Sequence, residues 1–228
     1  MTDYMLETIE RNETLSDRVK VSLRKALIEG TFEPGSRIKI RDIAHALGVS
    51  PTPAREALMT LIAEGALIED SNKTAIVPAL TRESLLEITE LRVSLERTAA
   101  RIVVPLLDDA SLKEIEHFNM RIVKASETDD MKRGLEENAN FHFAIYRLTQ
   151  MPMLLKMIET VWLRSGAYLN LAYPAFANLN TSHSKHRVII DALRSRDVDA
   201  LEQAIEDDIR TSAHHLFKSL DKHLSDNV

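Results

Sequence analysis

The stretch from Arg37 to Leu58 constrains this chain more than any other, because it reads as two short helices joined by a tight turn. Ser50 suits the N-cap of the second helix, since its hydroxyl can accept a hydrogen bond from a free amide of the first turn. Pro51 then falls at the first helical position, where a missing N–H costs nothing. Gly48 lies between the helices, where a positive φ is inexpensive for glycine. The pattern predicts a helix-turn-helix whose second helix can enter the DNA major groove.

The same stretch also fits an ordinary helical hairpin with a proline-marked start, and the flanking segments favour the DNA-binding interpretation. Before it, apolar residues at helical spacing predict an amphipathic helix that ends at Gly30. After it, 64–70 and 75–77 are two short strand candidates around a polar tip. A helix-turn-helix followed by such a hairpin is a winged helix-turn-helix.

The second helix resembles the signature of the GntR family of bacterial transcription regulators, "VS-x-TP-x-REAL", which an "L-x-x-EG-L" segment and a wing follow in the family. In this chain Glu64-Gly65-Ala66-Leu67 and a wing candidate follow it. Eight signature positions are identical in this chain: Val49, Ser50, Thr52, Pro53, Arg55, Glu56, Ala57 and Leu58. The resemblance implies a regulator that binds double-stranded operator DNA.

The resemblance also implies which residues touch DNA, and the candidates are Arg41, Ser50, Thr52, Arg55 and Lys73. Arg41 and Arg55 match the family's DNA-contacting arginines, and an arginine bidentate to guanine is worth roughly 1–3 kcal/mol of discrimination. Thr52 matches a phosphate or base contact, and Lys73 would reach the minor groove or the backbone from the wing. The alternative for each is a solvated surface side chain.

Two positions depart from the family pattern. Pro51 replaces an arginine that is a principal base contact in relatives, so we expect an operator that differs from the commonest family sequence. The wing tip, 71–74, has no glycine, although the family usually places one there.

Charge limits how the chain can bind DNA. The 228 residues have a formal net charge of −6, which argues against a generic nucleic-acid binder. Within 37–58, however, four basic residues (Arg37, Lys39, Arg41, Arg55) face only Asp42 and Glu56. DNA contact must therefore come from a local patch, and we expect affinity to come from pairing two such patches in a homodimer.

Composition and hydropathy predict a cytoplasmic protein with no membrane association. The chain has no cysteine, which excludes a disulfide framework, a thiolate metal site and a thiol nucleophile. Residues 1–14 are acidic and lack the apolar core of a signal peptide. The longest aliphatic run, 102–107, is interrupted by Pro105 and is too short to span a bilayer.

Beyond a short connector at 78–80, the pattern is helical to the C-terminus. Six helices are expected, at roughly 82–106, 109–126, 129–149, 151–172, 179–195 and 197–223. Pro105 and Pro174 are among the expected breaks. The predicted fold is mainly α: a winged helix-turn-helix DNA-binding domain with a small β wing at 1–77, then an all-α helical bundle at 78–228 for effector binding and dimerisation.

The second half resembles the FadR-type C-terminal domain, called FCD, a common effector module of the GntR family. The residues that show this are Leu91-Arg92-x-x-Leu95-Glu96, Asn138-x-x-Phe141-His142, and His186 followed eleven residues later by Asp197. The two resemblances together cover almost the whole chain from about Leu15.

In that family four side chains commonly bind a metal. They are a carboxylate or amide, the histidine four residues after it, and two histidines from later helices. Here the matching positions are Asn138, His142 and His186, and Asp208 replaces the third histidine. Residues four apart share a helix face, so Asn138 and His142 can point at one centre. Two imidazoles and a carboxylate can hold Zn²⁺, Mn²⁺ or Ni²⁺ with open positions for water and an acidic ligand. The alternative is a polar lining of a purely organic pocket.

Arg92 is the candidate effector contact, because its planar fork suits a ligand carboxylate. A structural ion pair with Glu96, one helical turn later, is the alternative. The function that the residues favour is a regulator, expected to be a repressor, whose operator affinity a small carboxylic acid modulates. Two other hypotheses stay open: a metal-dependent enzyme that uses His142, His186 and Asp208, and a metal-free sensor of acyl thioesters. An enzyme would need no DNA-reading helix.

Overall fold

The computed structural model describes residues 14–79, 81–176 and 180–226, with side chains described outside 167–183 and 222–226. The elements in chain order are α1 (Leu15–Ile28), β1 (Arg37–Ile38), α2 (Ile40–Leu47), α3 (Pro51–Ala63), β2 (Ile68–Glu69), β3 (Ala75–Ile76), α4 (Arg82–Val103), a 3₁₀ turn (Val104–Leu106), α5 (Asp109–Glu127), α6 (Met131–Arg147), α7 (Pro152–Phe176), α8 (Asn180–Ser195) and α9 (Val198–Asp226). The mainly α fold with a small β wing is thus confirmed. The acidic stretch 1–13 lies outside the described residues.

Residues 14–77, which we call the head, form the winged helix-turn-helix. Thr14 starts α1 with a capping box, because its hydroxyl accepts from the Asp17 amide and the Asp17 carboxylate accepts from the Thr14 amide. Gly48 ends α2 with a φ of 64°, as its position in the turn predicts. The sheet is antiparallel, in the order β1-β3-β2, and β1 was not predicted as a strand.

Helix α3 is the second helix of the helix-turn-helix, the one that the sequence predicts to enter the DNA major groove. Its inner face, Ala54, Ala57, Leu58 and Leu61, is buried as the helical spacing predicts. Ser50 does occupy the N-cap, but the expected capping bond from its hydroxyl is not made. The extended backbone of Ser50, followed by Pro51, starts the helix without it.

Six helices, α4 to α9, form the second unit, which we call the bundle. Helix α4 lies at its centre and packs against α6, α7 and α9. The predicted break at Pro105 is confirmed, since α4 ends at Val103 and a 3₁₀ turn follows. The predicted break at Pro174 is wrong, because α7 continues to Phe176. Pro174 removes a single backbone donor from a helix of 25 residues, and it lies two residues before the end of that helix.

The apolar stripe at the start of α7 lies partly at the surface. Leu154, Ile158 and Trp162 are buried in the bundle core, whereas the side chains of Met153 and Met157 are 77% and 53% exposed. Met153 and Met157 therefore lie outside the bundle core. Among the described residues, no helix is long and apolar enough to cross a membrane.

The head and the bundle share a tight junction between α1 and α7. Leu163 of α7 and Leu216 of α9 are buried in the core of the head. At Gly166 the two helices approach so closely that an added Cβ would lie 2.3 Å from the carbonyl oxygen of Leu27. The absence of a side chain at Gly166 is therefore required for this packing.

Arginines close the junction at its edge. Arg24 of α1 forms ion pairs with Glu64, at the end of α3, and with Glu159 of α7, the latter at 2.8 Å. Arg164 donates from Nε to the carbonyl oxygen of Gly65 over 3.0 Å. The residues that end α3 are therefore hydrogen-bonded directly to α7.

Candidate metal centre and DNA-reading surface

Three helices bring His142, His186 and Asp208 together inside the bundle. His142 lies on α6, His186 on α8 and Asp208 on α9, and all three side chains are buried. One ligand atom from each lies within 4.8 Å of the other two. We call this group the His142 cluster, and it unites the three residues that the sequence placed there.

Distances within the cluster define which atoms face each other. The Nε2 atom of His142 lies 3.3 Å from Oδ2 of Asp208, and Nε2 of His186 lies 3.9 Å from Oδ1. The two imidazole rings are 5.2 Å apart and nearly perpendicular, and Phe141 stacks on His186 at 4.3 Å. The Asp208 carboxylate thus lies between the two imidazole edges.

Asn138, the fourth predicted ligand, lies one turn before His142 on α6 and is half-buried. This spacing places it on the face of α6 that bears His142. Coordination by Asn138 stays a prediction.

Glu96 is the centre of a second buried group, directly beside the cluster. Its carboxylate accepts from Nε of Arg92 at 2.6 Å, from the Tyr146 hydroxyl at 2.5 Å and from Nε1 of Trp162 at 3.0 Å. Glu96, Tyr146 and Trp162 are essentially inaccessible to solvent. The Tyr146 oxygen is also 3.4 Å from Nδ1 of His142. Helices α4, α6 and α7 therefore meet at one carboxylate.

Arg92 forms the ion pair with Glu96 that was the alternative to an effector contact. Its guanidinium also lies over the Trp162 ring, 4.4 Å from the centroid. A ligand carboxylate would have to approach a guanidinium whose Nε is already bonded. The effector contact of Arg92 stays a prediction.

Burial and neighbouring charges shift the pKa values of this region. Burial raises the pKa of Asp208, but the hydrogen bond and the charges of His142, His186 and Arg92 outweigh it, so the pKa lies below its ordinary value. Burial, followed by the charge of Glu96, raises the pKa of Tyr146 well above its ordinary value. At neutral pH Asp208 is therefore a carboxylate and Tyr146 a neutral phenol.

The donor set fits a divalent cation. The described side chains of these two groups include two carboxylates, Glu96 and Asp208, but only one guanidinium, Arg92. Apart from the two imidazoles, their formal charges sum to −1. A buried unbalanced charge is costly. Either a proton on an imidazole or a cation among the three donors would supply the missing positive charge. Two nitrogen donors and a carboxylate oxygen are a set that Zn²⁺ and its neighbours accept.

The predicted DNA contacts all lie at the surface of the head. The side chains of Arg41, Ser50, Thr52, Arg55 and Lys73 are exposed. Arg55 of α3 and Lys73 of the wing line the same concavity, about 600 Å³ in volume, between the reading helix and the wing. Both cations therefore flank the surface that duplex DNA would contact.

Lys73 adopts the backbone conformation that a glycine of the wing would adopt. Its φ is 59°, in the left-handed region that glycine usually occupies in turns. Asp70 holds this turn, because one carboxylate oxygen accepts from the amides of Asn72 and Thr74 at 2.9 and 2.8 Å. Arg37 of β1 pairs with the same carboxylate at 3.3 Å.

Sequence reasoning missed the parts played by Tyr146 and Trp162. Tyr146 follows His142 by four residues, and that spacing alone places both on one helix face. Trp162 lies among apolar neighbours in the sequence, and its indole N–H bond to Glu96 depends on packing between α4 and α7. No local signal reveals that contact.

Comparison with known proteins decides the family. The model of the FCD domain matches residues 87–211, more than half of the chain, and that of the bacterial regulatory proteins of the gntR family matches 15–77. The chain belongs to the GntR family. It is an FCD-type member, a transcription regulator with a DNA-binding head and an effector domain, and not an enzyme.

Individual GntR relatives agree along the whole chain. The HTH-type transcriptional regulator McbR of Escherichia coli K12 is 28% identical over 93% of this chain and 97% of its own. The solved structure of E. coli McbR/YncC matches with a TM-score of 0.86 and 29% identity, over 91% of this chain and 99% of that one. A GntR regulator from Rhodococcus sp. RHA1, at 23% identity and a TM-score of 0.74 over 89% and 97% of the two chains, shares the fold.

Proposed function

We propose that the chain acts as a homodimer, with 1–77 as the DNA-binding domain and 78–228 as the effector-binding and dimerisation domain. Two heads would bind a near-palindromic operator. The charge distribution supports pairing, because the head is not basic overall and only a local stretch, 37–58, holds more basic residues (four) than acidic ones (two). One such patch offers few phosphate contacts, and two double the number.

Within each head, Arg41 and Arg55 read bases in the major groove, Ser50 and Thr52 contact DNA at the start of α3, and Lys73 contacts the backbone or minor groove. The exposure of all five side chains supports these roles. The shared concavity of Arg55 and Lys73 is the single observation that most favours them, because it joins the reading helix to the wing on one surface.

Inside the bundle, His142, His186 and Asp208 hold a divalent cation, Zn²⁺, Mn²⁺ or Ni²⁺, and Asn138 adds a weaker oxygen ligand. When bound, the cation would act as a Lewis acid that fixes an acidic effector at an open position. Arg92 favours the same anion through its charge. The buried region has one more carboxylate than guanidinium, which supports a cation here. A bound dication would then leave a positive site suited to a small carboxylate.

Effector binding changes operator affinity through the junction between the head and the bundle, and the regulator is a repressor. A ligand shifts such an equilibrium only if it binds one arrangement of the heads better than the other. Helix α7 supports this proposal, because it contacts both the His142 cluster and the head. Its Trp162 ring lies 5.4 Å from the His142 ring, and its Glu159 binds Arg24 of the head.

Fluorescence anisotropy with labelled DNA from upstream of the gene tests the DNA-reading surface. Arg55→Ala should weaken specific binding by about 5- to 150-fold per contact, since a bidentate guanine contact is worth roughly 1–3 kcal/mol. Arg187→Ala, which removes an exposed arginine of α8, is the matched control and should bind like wild type. Unchanged specific binding by Arg55→Ala would contradict the proposed reading mode.

A further inference from the structure

Tyr146 is placed between the His142 cluster and Glu96. It follows His142 by one turn of α6, and the two ring centroids are 6.1 Å apart. Its oxygen lies 2.5 Å from Oε2 of Glu96 and 3.4 Å from Nδ1 of His142. Since Tyr146 and Glu96 are fully buried and His142 is 1% exposed, water does not compete for these contacts.

The chemistry of Glu96 decides the direction of the bond from Tyr146. A carboxylate that pairs with a guanidinium can only accept, and Glu96 already accepts from Arg92 and Trp162. The one hydroxyl proton of Tyr146 must therefore lie toward Glu96. The lone pairs of the oxygen are then left for His142, whose Nδ1 has to bear a proton to use them.

When a cation takes the place of the Nε2 proton, a proton kept on Nδ1 leaves the lone pair of the imidazole on Nε2. That atom is the one that faces Asp208, at 3.3 Å. We propose that Tyr146 is a positioning residue for the metal centre: fixed by Glu96, its oxygen accepts from Nδ1–H of His142 and so presents Nε2 as the ligand atom. This inference rests on the proposed metal site and adds a residue that the ligand pattern does not contain.

The network explains why Glu96 is buried beside the cluster. Three helices contribute its donors, so the Tyr146 hydroxyl has one fixed orientation rather than several. A partner that orients a metal-bound histidine typically contributes 10- to 100-fold to metal affinity. Loss of the hydroxyl should therefore weaken metal binding although no ligand is removed.

Trp162 provides the readout, because it is the only tryptophan of the chain and its ring lies 5.4 Å from that of His142. Chelator-treated full-length protein is titrated with Zn²⁺ while tryptophan fluorescence is recorded. Tyr146→Phe keeps the ring and should raise the Kd for Zn²⁺ by roughly 10- to 100-fold. Thr89→Val removes another buried hydroxyl, which bonds only to the Leu85 carbonyl among the described contacts, and should leave the Kd unchanged.

Nuclear magnetic resonance of Zn²⁺-loaded protein with ¹⁵N-labelled histidine gives a second readout that general destabilisation does not produce. Wild type should show a slowly exchanging Nδ1–H proton on His142, assigned by its absence in His142→Gln. In Tyr146→Phe that proton should exchange faster and broaden. The wild-type spectrum tests the tautomer even if the variant folds poorly.

The outcomes separate the two proposals. If wild type binds Zn²⁺ and Tyr146→Phe binds with the same Kd, or if wild-type His142 coordinates through Nδ1, the role of Tyr146 is wrong and the metal site stands. If Zn²⁺ leaves wild-type fluorescence and histidine spectra unchanged, the metal site itself is wrong, and the positioning role with it.

Discussion

At the scale of single residues, the wing tip shows how the chain manages without the family's glycine. Lys73 adopts the left-handed conformation itself, which costs a residue with a Cβ about 1–2 kcal/mol. The Asp70 carboxylate offsets this cost with two backbone hydrogen bonds and the Arg37 ion pair. A lysine at this position places a cation at the tip that a glycine cannot supply.

Comparison of Lys73→Gly with Lys73→Ala isolates the backbone conformation, because both remove the charge. The glycine variant should be the more stable by about 1 kcal/mol, a difference of roughly 2–4 °C in Tm for a chain of this size. Both should weaken DNA binding equally and lower the salt slope by about one unit. Equal melting temperatures would show that the left-handed φ costs nothing here.

Asp70 gives the wing a pH dependence. The bond from the Thr74 amide, followed by that from Asn72 and the charge of Arg37, lowers the pKa of Asp70 below its ordinary 3.8. Its stabilising contribution is therefore complete above pH 3.8 and is lost as pH falls through the lowered pKa. Urea unfolding over a pH series should show wild type more stable than Asp70→Asn at neutral pH, with a gap that narrows in acid. A gap independent of pH would contradict this assignment.

The sequence predicted the position of single residues well where a local rule or a motif decides it. The positive φ of Gly48 follows from its place between two helices, and the meeting of His142, His186 and Asp208 follows from the spacing of the family pattern, in which Asp208 replaces a histidine. Ser50 shows the limit: the residue type gives the N-cap position but not whether its hydroxyl makes the capping bond.

At the scale of elements, α7 joins both cores. Trp162 belongs to the core of the bundle and Leu163, the next residue, to the core of the head. Consecutive helical residues point about 100° apart, so one helix can serve two neighbours. The close contact between Gly166 and the backbone of α1 lies three residues after Leu163 on the same helix.

Gly166→Ala should lower the free energy of unfolding by about 1–3 kcal/mol, because the new Cβ collides with the backbone of Leu27 and Ile28. In an unobstructed helix the same change would raise stability by up to about 1 kcal/mol, so the sign of the effect is diagnostic. Chemical denaturation measures it, with Ser165→Ala, one residue earlier in α7, as the control. A more stable Gly166→Ala protein would show that α1 and α7 do not pack this closely.

Elements were predictable where the hydrophobic period is long. All six bundle helices lie near their predicted positions, because each has several turns of apolar spacing. The two-residue strand β1 has no period to detect and forms only because β3 pairs with it. The course of α7 through Pro174 likewise depends on more than the local proline rule.

At the scale of the whole molecule, Arg24 links three parts that lie far apart in sequence. It joins α1 to Glu64 of the head and to Glu159 of the bundle, and its side chain is only 14% exposed. Without it Glu64, whose side chain is 14% exposed, would keep only the longer ion pair with Lys156, at 3.5 Å, and Glu159 would lose its contact with α1. No sequence pattern predicts such a contact, since it depends on how the two units dock.

Arg24→Met should therefore destabilise the protein by about 1–3 kcal/mol, and adding Glu159→Gln should recover part of that loss. Urea unfolding of the single and double variants measures the coupling. Arg82→Met is the matched control, because Arg82 and its partner Asp221 are more than half exposed and such pairs contribute about 0–1 kcal/mol. An Arg24 effect no larger than that of Arg82 would show that the junction does not depend on this bridge.

The proposed metal site in the bundle has the widest consequences for how this regulator works, and a thermal melt tests it directly. Purified protein is melted before and after chelation and again with Zn²⁺, Mn²⁺ or Ni²⁺ added back. Metal at about 100 times its Kd should stabilise the folded chain by about 2.7 kcal/mol, which corresponds to roughly 5–10 °C in Tm. If the cluster binds metal, the melting temperature should fall on chelation and recover when metal is added, and His142→Ala should show neither response. A melting temperature that ignores chelator and metal alike would contradict it.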